Sequence, residues 1–122
     1  MTEPVVIDQN DRLIASDMVE GTRVYNREGE KLGTVRNFMV NKRRGDVEYA
    51  VMEFGGILGI GNEYYPLPWH MLEYSEADGG YVVDMDKDKL QGAPRYRDGE
   101  QRWTEVYGRE IYGYYGMPYP FI

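Results

Sequence analysis

The chain has 122 residues, of which 42% are hydrophobic, so it is long enough for one domain and too apolar to be disordered throughout. It contains no cysteine, which excludes disulfides, thiolate nucleophiles and cysteine-ligated zinc. The net charge of -7 argues against generic nucleic-acid binding, because such binding needs a basic face that releases phosphate counterions.

The sequence contains no recognisable targeting or membrane segment. Residues 1–20 lack the basic start and the long apolar core of a signal peptide. No apolar run approaches the roughly 20 residues that a membrane-spanning helix needs. We therefore expect no transmembrane segment and a cytoplasmic location.

The first half of the chain predicts short strands. Residues 1–15 are expected to form a flexible acidic lead, and Ser16 is the expected N-cap of one helical turn that ends at Gly21. Three strands separated by polar turns follow, over 22–26, 31–41 and 47–54. The third strand has large apolar residues on both faces, which predicts a barrel with another element packed on its outside.

The second half continues the same pattern. After a glycine-rich loop at 55–61, the run 63–69 can be a strand only at a sheet edge or at its ends, because Pro66 and Pro68 donate no hydrogen bond. Two further short strands are expected, one within 70–75 and one over 81–85. One helical turn is expected over 86–94. Five or six short strands joined by tight turns predict a mostly β fold, namely a small antiparallel barrel with short helical turns over residues 16–96.

The last segment, residues 97–122, predicts an aromatic helix and tail. With Asp98 as its N-cap, the helix carries one apolar stripe along a single face. The stripe consists of Trp103, Val106, Tyr107, Ile111, Tyr114 and Tyr115. Gly108 and Gly113 each weaken a helix by about 1 kcal/mol relative to alanine. Two prolines, at 118 and 120, end it.

No motif predicts catalysis, a cofactor or a metal. The loop at 55–61 lacks the G-x-G-x-x-G order, the following helix and the lysine of phosphate-binding loops. The acids at 84–88 match the start of a calcium loop, but Lys89 and Arg95 occupy its required glycine and glutamate positions. His70 is the sole histidine. We therefore predict a protein without enzymatic activity, catalytic residues or bound cofactor.

Two features are candidate contact surfaces for a protein partner. The C-terminal stripe lies in a segment rich in tyrosine and arginine and free of lysine, which is the composition of interface cores. The stripe could equally cover the chain's own barrel, and both interpretations hold if a homodimer forms. The second candidate is the tip of the glycine loop, where Ile57, Leu58 and Ile60 are either exposed or folded onto the barrel rim.

The densest basic cluster consists of Lys42, Arg43 and Arg44 at a predicted turn. Three bases at such a position are most often solvated. Contact with RNA phosphate is the alternative interpretation.

Several of these features together resemble the PRC-barrel domain family. The matching motifs are V-Y-N-x-x-G-x-K-L-G-x-V at 24–35, Y-A-V at 49–51, G-G-x-L-G-I-G at 55–61, P-W at 68–69 and L-x-x-A-P-x-Y at 90–96. The resemblance covers roughly residues 16–96. It implies a small β-barrel that serves as an interaction module, with no general catalytic residues.

The same resemblance suggests specific roles. The family includes the cytoplasmic part of the photosynthetic reaction centre H subunit and the C-terminal domain of a 16S ribosome maturation factor that binds a ribosomal protein. We predict a free-standing bacterial member, non-enzymatic and homodimeric, that binds a protein partner. The alternatives are an accessory factor in RNA or ribosome metabolism and an accessory of photosynthetic or electron-transfer membrane complexes.

Overall fold

The computed structural model describes residues 13–54, 63–100 and 103–121. Short strands and short helices make up these residues. They are α1 (Ser16–Val19), β1 (Arg23–Tyr25), β2 (Lys31–Val40), β3 (Val47–Phe54), β4 (Glu63–Pro68), a 3-10 turn (Trp69–Met71), β5 (Glu73–Ser75), β6 (Gly80–Val82), α2 (Lys87–Gln91) and α3 (Glu105–Tyr114). The prediction of a mostly β fold with short helical turns and a C-terminal helix is confirmed.

The six strands form one sheet in the order β4-β3-β2-β1-β6-β5. Neighbouring strands are antiparallel except β1 and β6, which pair in parallel with Val24 opposite Tyr81 and Tyr25 opposite Val82. The sheet is therefore mixed, whereas the sequence predicts only antiparallel pairs. The parallel pair is possible because a long connection, and not a hairpin, joins β1 to β6.

The two outer strands of the sheet, β4 and β5, are joined by a short connection. Pro68 ends β4 and Glu73 begins β5. Their Cα atoms lie five peptide units apart, so at about 3.8 Å per unit they are separated by at most about 19 Å. In a flat sheet of six strands, spacings of about 4.8 Å would separate the outer strands by about 24 Å. The sheet must therefore curl, which gives the barrel-like form that the sequence predicts.

The curled sheet encloses the main core. Its buried residues are Val19, Val24, Leu32, Val35, Met52, Tyr65, Leu67, Tyr81, Val83, Met85, Leu90 and Ala93. Leu90 anchors α2 in this core, and Asp86 caps α2 by accepting a hydrogen bond from the Lys89 N–H at 2.7 Å. The helical turn predicted over 86–94 is confirmed.

α1 differs from its prediction in one detail. Ser16 is the first residue of the helix, and Ala15 takes the N-cap position without a side-chain hydrogen bond. The turn is held by burial of Val19 in the main core, so it does not depend on a capping hydroxyl.

β3 is buried on both faces. Met52 belongs to the main core, whereas Tyr49 belongs to a second buried cluster with Tyr107, Ile111 and Tyr112. Residues at odd and even positions of a strand point to opposite faces, which explains why one strand serves both clusters. The element on the outside of the barrel is therefore α3 of the same chain.

Candidate interaction surface

The C-terminal segment is attached to the barrel along the outer edge of β4. Tyr96 and Tyr64 exchange two backbone hydrogen bonds, of 2.8 and 3.0 Å. Glu63 forms ion pairs with Arg95 Nε at 3.2 Å and with Arg97 Nη2 at 3.4 Å. An exposed strand edge is a template for pairing with another chain, and this pairing covers the edge of β4 at Tyr64. Two of the arginines that suggest an interface are thus engaged within the chain.

Asp98 does not cap α3, contrary to the prediction. Its carboxylate accepts hydrogen bonds from Arg36 Nη1 and from the Tyr64 hydroxyl, both at 3.1 Å. The hydrogen bond from Arg36, with that from Tyr64, holds the pKa of Asp98 below its ordinary value. The cap is Thr104, whose Oγ1 accepts a hydrogen bond from the Tyr107 N–H at 3.2 Å. Gly99, directly after Asp98, has a φ of 78°, which is outside the helical region, so no helix starts at Asp98.

The buried face of α3 overlaps only part of the predicted stripe. Tyr107, Ile111 and Tyr112 are buried against Tyr49, whereas Val106 is 77% exposed. The other members of the stripe are half-buried, namely Trp103, Tyr114 and Tyr115. The stripe omits Tyr112, which lies four residues after the buried Gly108 and therefore on the same face of the helix. The role of this stripe as a contact surface for another chain stays a prediction.

The chain beyond α3 packs on the second cluster. Tyr119 contacts Tyr112 and Phe121 contacts Tyr49, with ring centroids 5.6 and 6.4 Å apart respectively. Gly108 permits this close packing, because a Cβ at that position would lie 2.9 Å from Tyr119 Cε1 and 3.0 Å from Tyr49 Oη. The sequence marks Gly108 only as a weak helix former, and its role in packing becomes visible once the cluster is assembled.

The second cluster holds tyrosine hydroxyls in an apolar setting. The Oη atoms of Tyr107, Tyr112 and Tyr115 are buried and have no hydrogen-bond partner among the described residues. Burial raises the pKa of Tyr112 to about 12 and also raises the pKa of Tyr107 and Tyr115. These side chains therefore remain neutral near pH 7 and are unsuited to act there as nucleophiles or bases.

An open groove lies between the β2–β3 turn and the start of α3, with a volume of about 340 Å³. We refer to it as the groove. Its apolar lining consists of Met39, Val40, Tyr49, Trp103 and Tyr119. Its polar lining consists of Asn41, Lys42, Arg43, Glu48, Thr104 and Glu105. The groove thus combines aromatic surface with charged groups at its rim.

The groove brings two sequence features together that are far apart in the chain. Lys42 and Arg43 line it beside Trp103, and both basic side chains are exposed. Arg44, the third member of the predicted basic cluster, forms ion pairs with Asp46 at 3.1 Å and with Glu48 at 3.2 Å. Two members of the cluster are therefore available to a ligand, and the third is engaged within the chain.

Other candidate sites add little to this surface. Ile57, Leu58 and Ile60 lie outside the described residues, so their exposure stays a prediction. Within 13–54, 63–100 and 103–121, no group of three His, Asp or Glu side chains could hold a metal ion. A helix with the length and apolar character needed to cross a bilayer is not found in those ranges. In the calcium-like run, Asp84 pairs with Arg27 at 3.6 Å.

The curled sheet and its outer aromatic helix define a small β-barrel module with a groove at one end. The sequence profile of the PRC-barrel domain matches residues 11–90, which is well over half of the chain. The chain belongs to the PRC-barrel domain family.

Comparison with individual proteins adds a structural likeness. No curated protein sequence matches the chain. Among solved structures, the chain is similar to the crystal structure of a protein from Pseudomonas aeruginosa that is named as a 16S ribosomal RNA processing protein, RimM. The two share 18% sequence identity with a TM-score of 0.42, over 68% of this chain and 50% of that chain. This chain therefore spans about half the length of that protein.

Proposed function

We propose that the chain is a non-catalytic protein-interaction module whose binding surface is the groove. The observation that carries the proposal is the meeting of Trp103 and Tyr119 with exposed Lys42 and Arg43 in one concave site. Aromatic and arginine side chains are the residues that contribute most binding energy at protein interfaces. A volume of about 340 Å³ suits the side chains of a short bound segment.

Capture from native-host lysate with variant proteins tests this surface. Val40 lines the groove and is 51% exposed, so Val40→Glu should abolish capture of the partner without unfolding the chain. Tyr74→Glu is the matched control, because Tyr74 is also exposed and does not line the groove, whereas Val106→Glu tests the outer face of α3. Loss of the partner with Val106→Glu but not with Val40→Glu would move the interface to the outer face of α3.

We also propose a homodimer, with the C-terminal segment forming or completing its interface. Support comes from exposed apolar side chains outside the groove, which are Leu13, Ile14, Met18 and Val106. Truncation after Tyr96 should change the oligomeric mass measured by light scattering from that of a dimer to that of a monomer. A full-length chain that stays monomeric at tens of micromolar would rule out the dimer.

An accessory role in RNA or ribosome metabolism is the second candidate. The observation in its favour is that Lys42 and Arg43 are exposed and have no carboxylate partner among the described residues. In this case the chain should bind RNA in a salt-dependent manner, and the substitution of Lys42, Arg43 and Arg44 by alanine should abolish binding. Association with photosynthetic or electron-transfer complexes stays a prediction supported by the family resemblance alone.

A further inference from the structure

The balance of charge around the groove is opposite to that of the whole chain. The rim residues and their ion-pair partners include four bases, which are Lys42, Arg43, Arg44 and Arg109. They include three acids, which are Asp46, Glu48 and Glu105. The four charged residues that line the groove sum to zero, and the ion-pair network that includes them sums to about +1, on a chain whose net charge is -7. A ligand attracted by this site would therefore carry negative charge.

The acids at the rim are already paired. Glu48 accepts hydrogen bonds from Asn41 Nδ2 at 2.9 Å and from Arg44 Nη2 at 3.2 Å. Glu105 accepts a hydrogen bond from Arg109 Nε at 3.1 Å. Because these carboxylates are satisfied within the chain, the charges that face a ligand and have no ion-pair partner within 13–54, 63–100 and 103–121 are those of Lys42 and Arg43.

One wall of the groove is the amino end of α3. Thr104 and Glu105 line the groove there, and Thr104 caps the first turn of the helix. The amino end of a helix carries partial positive charge. This partial charge adds to that of Lys42 and Arg43. Glu105, the first residue of the helix, offsets part of it and is itself paired with Arg109.

The aromatic lining is fixed in place by contacts beneath it. Trp103 contacts the rings of Tyr49, Tyr96 and Tyr107, with centroids 5.2, 5.8 and 5.7 Å away. A ring that is held on several sides offers a preformed surface for an inserted side chain, and binding to it costs little ordering.

We propose that the groove binds an extended peptide segment in which carboxylate side chains flank one apolar or aromatic anchor. The anchor would occupy the apolar lining near Trp103 and Tyr119, and the carboxylates would meet Lys42 and Arg43. This inference rests on the proposed function, because it assigns a partner class to the same surface. A peptide with a few carboxylates fits better than RNA, because RNA carries a charge on every nucleotide and the net charge of -7 repels it more strongly.

Selection from a random peptide library displayed on phage tests the partner class, with the full chain as immobilised target. Enriched peptides should carry two or more Asp or Glu residues around an apolar anchor. Synthetic peptides of those sequences should bind in a fluorescence-polarisation assay. Binding should weaken at least tenfold with the double variant Lys42→Glu and Arg43→Glu, and should recover when the peptide's acids are changed to lysine.

A matched control separates local charge from total charge. Arg23 and Lys31 are exposed on β1 and β2 and do not line the groove. The double variant Arg23→Glu and Lys31→Glu changes the net charge by the same amount and should leave peptide binding within about twofold of wild type. Circular dichroism of each variant verifies that its fold is retained.

The remaining outcomes distinguish this inference from the proposed function. Enriched peptides without acidic residues that lose binding with Val40→Glu would overturn the acidic partner class and leave the groove as the binding surface. Failure of any peptide to be enriched, or binding unchanged by all groove variants, would overturn both the acidic partner class and the groove as binding surface.

Two outcomes would assign the groove to another occupant. Binding of a single-stranded RNA oligonucleotide that is lost with the Lys42 and Arg43 variant would assign the site to RNA. A change from dimer to monomer with Val40→Glu would assign it to a second copy.

Discussion

Two glycines of α3 have the same helix propensity but different surroundings. A Cβ at Gly113 would meet nothing within 4 Å, whereas one at Gly108 would contact Tyr119 and Tyr49 at 2.9 and 3.0 Å. Gly113→Ala should therefore raise the free energy of unfolding by about 0.5–1 kcal/mol through helix propensity. Gly108→Ala should lower the free energy of unfolding by about 1 kcal/mol, because displacing the packed rings costs more than alanine gains in helix propensity. Urea unfolding of both variants measures the difference.

The comparison of these two variants is internally controlled, since each changes one glycine to alanine in the same helix. Near-ultraviolet circular dichroism of the tyrosines should change with Gly108→Ala only. Equal stabilisation by both substitutions would contradict the packing of Tyr119 and Tyr49 over the helix backbone.

At the scale of elements, local patterns predict most of the fold but not its long-range pairings. The strands are predicted because apolar runs and turn residues are local signals. The parallel pairing of β1 with β6 has no local signal, since it depends on how the whole sheet closes. The start of α3 is ambiguous for a related reason: Asp98 and Thr104 are both good caps, and a contact with Arg36 from β2 engages one of them.

The choice of cap gives a prediction for α3. Thr104→Ala removes the acceptor of the Tyr107 N–H and should lower the free energy of unfolding by about 1 kcal/mol, while Thr104→Ser should stay close to wild type. Asp98→Ala should leave helicity unchanged and reduce stability only slightly, because its ion pair with Arg36 is exposed and screened by solvent. Far-ultraviolet circular dichroism with urea unfolding measures both quantities. Loss of helicity with Asp98→Ala alone would restore Asp98 as the cap.

At the scale of the whole molecule, the groove could be predicted only in parts. The basic turn and the aromatic segment are each visible in the sequence, but nothing local indicates that Lys42 and Trp103 meet. Their meeting depends on the outer face of β3, where Tyr49 receives α3, and on the edge pairing of Tyr64 with Tyr96. The double burial of β3 is the signal that predicts a covering element, and the identity of that element requires the structure.

The same cluster predicts how the stability of the whole molecule changes at alkaline pH. An unfolded tyrosine loses its proton near pH 10.0, whereas burial keeps Tyr112 protonated to about pH 12 and also raises the pKa of Tyr107 and Tyr115. In that window the folded state binds more protons than the unfolded state, so stability falls as pH rises. The urea midpoint should be constant from pH 7 to about pH 9 and should fall above pH 10.

Tyr112→Phe identifies the groups responsible. The Tyr112 hydroxyl has no hydrogen-bond partner among the described residues, so its removal should change stability at pH 7 by less than about 1 kcal/mol. Above pH 10 the variant should lose stability less steeply than wild type. The reason is that the Tyr112 hydroxyl, which loses its proton in the unfolded state and keeps it in the folded state, is no longer present. Tyr74→Phe is the control, since this tyrosine is exposed and lies outside the cluster, and its alkaline curve should follow wild type. If Tyr112→Phe and wild type fall in parallel above pH 10, burial of that hydroxyl does not cause the alkaline loss.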